Sequence, residues 1–284
     1  MLGDLKVNQN LMNAFYKVVN VLKNDSRCHG GWHYGSLGRG LDDEYSDVDP
    51  IFLIKGDYFE EVAQDLPNIM KLACDNLVIF WKESYNNDEL KSFGCDLEID
   101  GKYYQFDIFI INDQKTDAWF CKWHYTDITL ENIIFDSDGE VTKLISNAPK
   151  GVIFERDINN IITTYWHHVH MVIKYFLRQD YFKLHNNFNI IMESHADLLL
   201  AKYDTITWGS WHSKIKHCVP IEKQLHLKKY FDSTNFEEMK ENLKQSIEWF
   251  CEDSKSICKE KNIPYPEIFE DKIKAEYYTT FNFH

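Results

Sequence analysis

The amino-acid sequence predicts an α+β fold, with an N-terminal mixed sheet and flanking helices followed by a C-terminal helical bundle. Alternating and continuous apolar runs bounded by turn residues fill much of the first 150 residues. A stretch rich in Asn, Pro and Gly at 147–151 then marks a boundary. Beyond it, apolar residues recur at helical spacing. We therefore expect two domains, 1–150 and 151–284, that meet at a cleft.

The N-terminal elements follow from local patterns. Asp100-Gly101 between two alternating runs is a strong two-residue turn signal, which predicts a β-hairpin. Pro67 is expected to break or kink the helix in which it lies. The expected elements, in chain order, are a helix at 8–23, strands at 28–34 and 48–54, a helix at 58–73, a strand at 76–82, the hairpin at 95–111 and an edge strand at 130–136.

The C-terminal half is predicted to form helices, with one longer loop among their connections. A loop is expected over 204–219, where Trp208 and Trp211 pack onto the bundle or line a pocket. His167, His168 and His170 lack an acid or Cys at zinc-site spacing, so a structural role is expected for them. The expected helices cover 155–178, 180–203, 220–231 and 235–260.

Composition narrows the function classes. The 284-residue chain has 31 basic and 45 acidic residues, a net charge of −14, which argues against a nucleic-acid backbone as the main partner. This charge suits a cationic small substrate. Seven Cys without a CxxC pair predict reduced thiols and a cytoplasmic location. No signal peptide and no apolar run of about 18 residues is apparent, so no membrane association is expected.

The most informative segment runs from residue 34 to residue 49. Gly35-Ser36 opens a small-residue turn that contains Arg39, and Ser-Asp-Val-Asp ends at Asp49 immediately before an apolar run. If that run is a strand, Asp47 and Asp49 point to the same side of it. Two carboxylates held together need a counter-charge, and Mg²⁺ with a nucleoside triphosphate is the usual one. The backbone and hydroxyl of the turn can bind phosphate.

A third carboxylate, Asp107, lies inside an apolar strand of the predicted hairpin. An ionised Asp buried there without a partner would be costly, so it lies either at a sheet edge or beside Asp47 and Asp49. Three carboxylates on adjacent strands fit a two-metal, in-line displacement. Glu98 is the rival for this third position within the hairpin.

The Gly-Ser and Asp-x-Asp pattern resembles the signature of the polymerase-β-type nucleotidyltransferase superfamily. The start of the helical half is similar to bacterial aminoglycoside 6-adenylyltransferases, and lincosamide nucleotidyltransferases share the overall layout. The resemblance implies that Ser36 touches the triphosphate and that Asp47 and Asp49 hold two metal ions. It implies that Asp107 is the later third acid and that Lys174 reaches the nucleotide phosphates.

The resemblance implies an antibiotic nucleotidyltransferase that moves AMP from ATP to a hydroxyl group and uses Mg²⁺. Gly35, Ser36, Arg39 and Lys174 are the expected nucleotide-binding residues. A polar stripe that includes Glu193 and Asp197 is either a wall that binds the acceptor or a solvent-facing surface. The acidic balance favours an aminoglycoside such as streptomycin over a lincosamide. A non-catalytic nucleotide-binding module of the same fold is the alternative from another class.

Overall fold

The computed structural model describes residues 6–151 and 155–283. Its internal contacts divide the chain into two compact units, one on each side of residues 152–154. The N-terminal unit combines a sheet with helices, and the C-terminal unit is helical, which confirms the predicted α+β class.

The described part of the N-terminal unit contains a six-stranded sheet with the strand order β3-β4-β5-β2-β1-β6. Strands β2 and β5 are parallel, and the other neighbours are antiparallel, so the sheet is mixed as predicted. The strands are β1 (Cys28–His33), β2 (Pro50–Ile54), β3 (Asn76–Lys82), β4 (Leu90–Ile99), β5 (Lys102–Asn112) and β6 (Ile133–Asp136). The helices are α1 (Gln9–Lys23), α2 (Phe59–Lys71), α3 (Trp119–Tyr125) and α4 (Glu140–Ser146).

Helices cover the two faces of the sheet unequally. On the first face, α1 and α2 bury their apolar sides against side chains such as Phe52 and Phe106. On the second face, α3 and α4 pack against β1 and β2, where Trp32 and Ile51 are fully buried. Trp81, on the edge strand β3, exposes 58% of its surface. The second face is therefore open toward the β3 edge.

Three local expectations differ from the structure. Pro67 lies inside α2, which continues to Lys71, because the burial of Leu66, Ile69 and Met70 offsets the lost backbone hydrogen bond. Strand β4 begins at Leu90 rather than at residue 95, since its first four residues are all buried and do not alternate. Helices α3 and α4 are short and were not expected from the sequence.

The C-terminal unit is built on α5 and α6, with α9 packed against both. Its elements are α5 (Ile158–Leu177), α6 (Tyr181–Tyr203), α7 (Trp211–Cys218), α8 (Ile221–Lys228), α9 (Phe236–Glu260) and a last helical stretch of Glu267–Phe269, Glu270–Lys274 and Ala275–Thr280.

The loop expected over 204–219 is wrong in its second half, which forms α7. Lys214 of α7 is buried, and its Nζ donates to Asp204 Oδ2 at 2.8 Å and to the Ile206 carbonyl at 2.8 Å. Asp204 also accepts from Arg156 at 2.9 Å. Trp211 packs against the core of the unit, as one reading of the sequence predicted. An ion-pair network thus holds α7 where its sequence carries little apolar periodicity.

A buried polar network crosses the core of the helical unit. His195 is fully buried between the Tyr230 hydroxyl at 3.0 Å and Asp253 Oδ2 at 3.1 Å. Lys223 Nζ lies 2.7 Å from the other Asp253 oxygen. Because buried polar groups are costly when unpaired, this network fixes how α6, α8 and α9 pack. Among the helices that the structure describes, none is long and apolar enough to cross a bilayer.

Candidate active site

Asp47 and Asp49 lie on the second face of the sheet, just before β2. Val48 between them is fully buried in the first-face core. Because successive side chains alternate along an extended chain, both carboxylates point to the opposite side, the side of Ile51. The alternation predicted from the sequence is therefore present.

The strand register brings Asp107 to the same place. Val48 forms a parallel bridge with Phe106, and the Asp107 N–H donates to the Val48 carbonyl at 3.0 Å. Since Phe106 points to the first face, Asp107 points to the second, beside Asp49. One carboxylate oxygen from each of Asp47, Asp49 and Asp107 lies within 4.8 Å of the other two. We call these three residues the acidic triad.

Burial raises the pKa of every member of the triad, and the neighbouring carboxylates raise those of Asp49 and Asp107 further. Burial raises the pKa of Asp47, and burial together with the charges of Asp47 and Asp107 raises that of Asp49 well above its ordinary value. The pKa of Asp107 rises to about 6, chiefly through burial. The positive charge of Arg39 acts in the opposite direction on Asp49. The triad thus carries more negative charge than its surroundings balance.

Gly35 is the residue that lets the preceding turn approach the triad. Its φ is +55°, and a Cβ built on it would lie 2.0 Å from Asp49 Oδ2. A side chain at this position would displace the Asp49 carboxylate or the turn. The next residue, Ser36, has a buried hydroxyl oxygen without a hydrogen-bond partner among the described residues. The turn therefore places an unsatisfied hydroxyl next to the triad.

Hydrogen bonds hold this turn against the sheet. The Tyr34 N–H donates to the Asp49 carbonyl at 3.2 Å, and the Gly38 N–H donates to the Tyr34 carbonyl at 2.8 Å. Asn132 donates its side-chain amide to the Gly38 carbonyl. Arg39 lies with its guanidinium 5.1 Å from the centre of the Tyr34 ring. Arg39 is thus next to the turn and close enough to Asp49 to affect its pKa.

The arrangement fits a divalent cation and a phosphate group. Hard cations such as Mg²⁺ prefer carboxylate oxygens, which the triad supplies from two neighbouring segments. A cation would stabilise the ionised carboxylates and relieve the repulsion that contributes to the raised pKa values of Asp49 and Asp107. The Ser36 hydroxyl is a donor that a phosphate oxygen would satisfy.

The remaining sequence-predicted residues lie elsewhere in their units. Glu98 is on β4, outside the triad, and accepts from Asn76 Nδ2 at 3.5 Å. Lys174 is on the exposed side of α5, with its Nζ 5.1 Å from the centre of the Tyr175 ring. The proximity of Lys174 to a nucleotide stays a prediction.

The polar stripe of α6 is only partly available for binding. Glu193 is exposed, whereas Asp197 accepts from Arg156 Nε at 3.2 Å. An acceptor amine at Asp197 would compete with this guanidinium, so Glu193 is the freer carboxylate of the two. Their role in acceptor binding stays a prediction.

Sequence reasoning missed two residues that shape the site. Gln105 Nε2 donates to Asp107 Oδ2 at 3.0 Å and orients that carboxylate. Gly94, on β4, pairs directly with Asp107 and leaves space beside it. The signal for Gln105 is its spacing of two from Asp107 on one strand. Gly94 gives no such signal, because its strand partner is known only once the register is known.

Comparisons with known proteins gave likenesses to solved structures. No family model matches the chain, and no curated protein matches it in sequence. The structure is similar to an aminoglycoside 6-adenyltransferase from Bacillus subtilis, with 14% sequence identity and a TM-score of 0.45 over 95% of this chain and 97% of that one. It is also similar to the Cid1 poly(U) polymerase in a mutant form bound to MgATP, with 16% identity and a TM-score of 0.28 over 40% of this chain and 36% of that one.

With TM-scores below 0.5 and identities of 14% and 16%, these likenesses leave the resemblance inferred from the motif a prediction. Neither likeness carries information about the substrate of this chain. We therefore base the function on the geometry of its own residues.

Proposed function

We propose that the protein is a metal-dependent nucleotidyltransferase that moves a nucleoside monophosphate, AMP from ATP, to a hydroxyl group of a small amine-bearing antibiotic. The observation that carries the proposal is the acidic triad next to the turn at Gly35 and Ser36. Three carboxylates beside a turn with an unsatisfied hydroxyl fit phosphoryl transfer better than they fit a structural role, because burial and repulsion raise the pKa values of Asp49 and Asp107.

In this reaction the chain's residues position the substrates and accept one proton. Ser36 and the backbone of the turn bind the β- and γ-phosphates of ATP. Asp107, oriented by Gln105, accepts the proton of the acceptor hydroxyl. At the same time the oxygen of that hydroxyl forms a bond to the α-phosphorus. The bond between the α-phosphorus and the bridging oxygen breaks, and pyrophosphate leaves.

Two Mg²⁺ ions would be held by Asp47, Asp49 and Asp107. When bound, these ions would neutralise the negative charge on the phosphoryl oxygens. Asp107 would then serve as a ligand, as the base, or in both roles. The metal-free triad has an unbalanced negative charge that these ions would offset.

The remaining residues that we assign to nucleotide and acceptor binding lie in both units. Arg39, beside the turn, and Lys174, on α5, would bind phosphate oxygens. The unit that contains the sheet would be the catalytic domain, and the helical unit would bind the acceptor, with Glu193 and Asp197 as candidates for its ammonium groups. The seven free cysteines agree with a cytoplasmic location.

The acceptor class is proposed from charge. A net charge of −14 favours a polycationic aminoglycoside such as streptomycin over a lincosamide, which carries at most one amine. Transfer to a lincosamide is the alternative with the same chemistry. A non-catalytic nucleotide-binding module is the alternative from another class, and the complete triad argues against it.

The test is incubation with ATP, GTP, CTP or UTP, Mg²⁺ and each of streptomycin, kanamycin and lincomycin, followed by mass spectrometry of the drug. We expect one nucleoside monophosphate to be added to an aminoglycoside, most efficiently from ATP. Chelation by EDTA and the Asp47→Asn variant are the controls, and both should abolish the mass shift. A shift on lincomycin alone would favour the lincosamide alternative. Unmodified drugs with every nucleotide would favour the non-catalytic module.

A further inference from the structure

A pocket of about 540 Å³ lies on the open part of the second face of the sheet, directly beside Asp107. It is formed by β3, β4 and β5 and so lies within the N-terminal unit. The residues of its wall that matter for binding are Trp81, Glu83, Gly94, Asp96, Gln105 and Asp107.

The pocket exists because Gly94 lies between the side chains of Trp81 and Asp107. Trp81 pairs with Gly94 across β3 and β4, and Gly94 pairs with Asp107 across β4 and β5. The three residues form one row on the second face of the sheet. A Cβ on Gly94 would lie 3.4 Å from both Asp107 Oδ1 and Trp81 Cε3. A larger side chain at this position would therefore fill the space between the indole and the carboxylate.

Two carboxylates flank the indole ring on either side of this row. Asp96 pairs with Ile79 and Gln105 in the next row, and the Glu83 N–H donates to the Ser92 carbonyl in the row before. Neither Glu83 nor Asp96 forms a salt bridge with any residue that the structure describes. The lining of the pocket includes three acidic residues and no Lys or Arg.

This combination is suited to a cation and unsuited to a phosphate. A protonated amine gains from the face of an exposed indole and from charge-assisted hydrogen bonds to the carboxylates on either side. A triphosphate would be repelled by the same carboxylates. The turn at Ser36 is the phosphate site of the proposed reaction, so this pocket is left for the other substrate.

We propose that this pocket is the acceptor site, in which Trp81, Glu83 and Asp96 bind a protonated amine of the antibiotic and direct a hydroxyl group toward Asp107. The inference rests on the proposed function for the identity of the second substrate. It assigns specificity to the sheet of the N-terminal unit, in addition to any contribution from the helical unit.

The test is calorimetric titration of streptomycin, kanamycin and lincomycin into the full chain without nucleotide. The Glu83→Gln/Asp96→Asn double variant should weaken aminoglycoside binding by roughly a hundredfold, because two charge-assisted contacts are lost at about tenfold each. Gly94→Val should abolish it by filling the pocket, and Gly94 has an ordinary φ, so that Val is compatible with the strand. Thermal unfolding of each variant checks that it folds.

Glu98→Gln is the matched control. Glu98 is on the same strand and on the same face as Asp96, but it is not part of the pocket. This variant removes one carboxylate charge from the same face outside the pocket, so it should bind aminoglycosides within about twofold of wild type. A parallel titration of a non-hydrolysable ATP analogue with Mg²⁺ should give similar dissociation constants for wild type, the double variant and Gly94→Val.

Failure of this proposal is distinguishable from failure of the proposed function. Loss of aminoglycoside binding in the double variant and in Gly94→Val supports the pocket assignment, even if no transfer is detected. Unchanged aminoglycoside binding in both variants overturns it, even in an active enzyme. It is also overturned if neither aminoglycoside binds the wild type, or if the variants lose the ATP analogue instead, which would make the pocket a nucleobase site.

Discussion

Replacing Asp49 by Asn is expected to abolish nucleotidyl transfer, with a loss of at least roughly 10³-fold in kcat. Asp49 faces both other members of the triad, and its amide replacement would keep the shape while removing the charge that holds a cation. Transfer should be measured with saturating ATP, Mg²⁺ and acceptor. Glu44→Gln removes an exposed charge from the same loop and should leave turnover near that of wild type.

The same substitution should stabilise the metal-free protein. Carboxyl groups whose pKa is raised bind protons more tightly in the folded chain than in the unfolded chain, so the cost of their burial and repulsion is absent in acid and grows as the pH rises; for Asp107 it is fully present only above its pKa of about 6. Removing roughly 1 kcal/mol of this burial and repulsion cost would raise the Tm by about 2–4 °C at pH 8. The gain should shrink as the pH falls toward about 4.

Differential scanning calorimetry in EDTA would measure this gain in Tm. Added Mg²⁺ should stabilise only the wild type, so that its Tm then exceeds that of Asp49→Asn. Two results would contradict this assignment of Asp49 as a metal ligand. One is an Asp49→Asn protein with near wild-type turnover, and the other is an Asp49→Asn protein that melts earlier than wild type in EDTA at pH 8.

Replacing Asp107 by Asn should depress the chemical step by roughly 10²–10⁴-fold, the range expected for loss of a general base. Asp107 is in the triad, accepts from Gln105 and borders the pocket beside Gly94. Single-turnover rapid-quench kinetics should show slow chemistry with ATP affinity reduced far less. Glu98→Gln, on the neighbouring strand, serves as the control and should react at the rate of wild type.

An Asp107→Asn variant that loses only ATP affinity, with unchanged single-turnover chemistry, would show that Asp107 is not the base. Loss of Mn²⁺ binding together with slow chemistry would assign Asp107 as a metal ligand, whereas slow chemistry with Mn²⁺ still bound would assign it as the base. These outcomes separate the two roles that the sequence left open.

The sequence was sufficient to predict the parts of the site that depend on one strand. The Asp47 and Asp49 side chains share a face because Val48 is apolar and buried, a consequence of strand periodicity alone. Asp107 was predicted by the cost of burying a charge in an apolar run. In both cases the local pattern and the final environment agree.

The parts that depend on neighbouring strands could not be predicted in this way. Gly94 and Trp81 form the pocket only because their strands pair in one register with β5. The contact of Gly35 with Asp49 requires that the turn fold back onto the end of β2. Helix α7 was missed because an ion pair between Lys214 and Asp204 stabilises it. Such an ion pair does not produce a hydrophobic periodicity that could be recognised in the sequence.

The central claim is that Asp47, Asp49 and Asp107 hold a catalytic cation beside the turn that binds the triphosphate. Crystals grown with Mn²⁺ and a non-hydrolysable ATP analogue would test it most directly through an anomalous difference map. We predict a metal peak within about 2.5 Å of carboxylate oxygens of all three residues, with the triphosphate against Gly35 and Ser36. A bound nucleotide whose metal and phosphates lie away from the three carboxylates would contradict the claim.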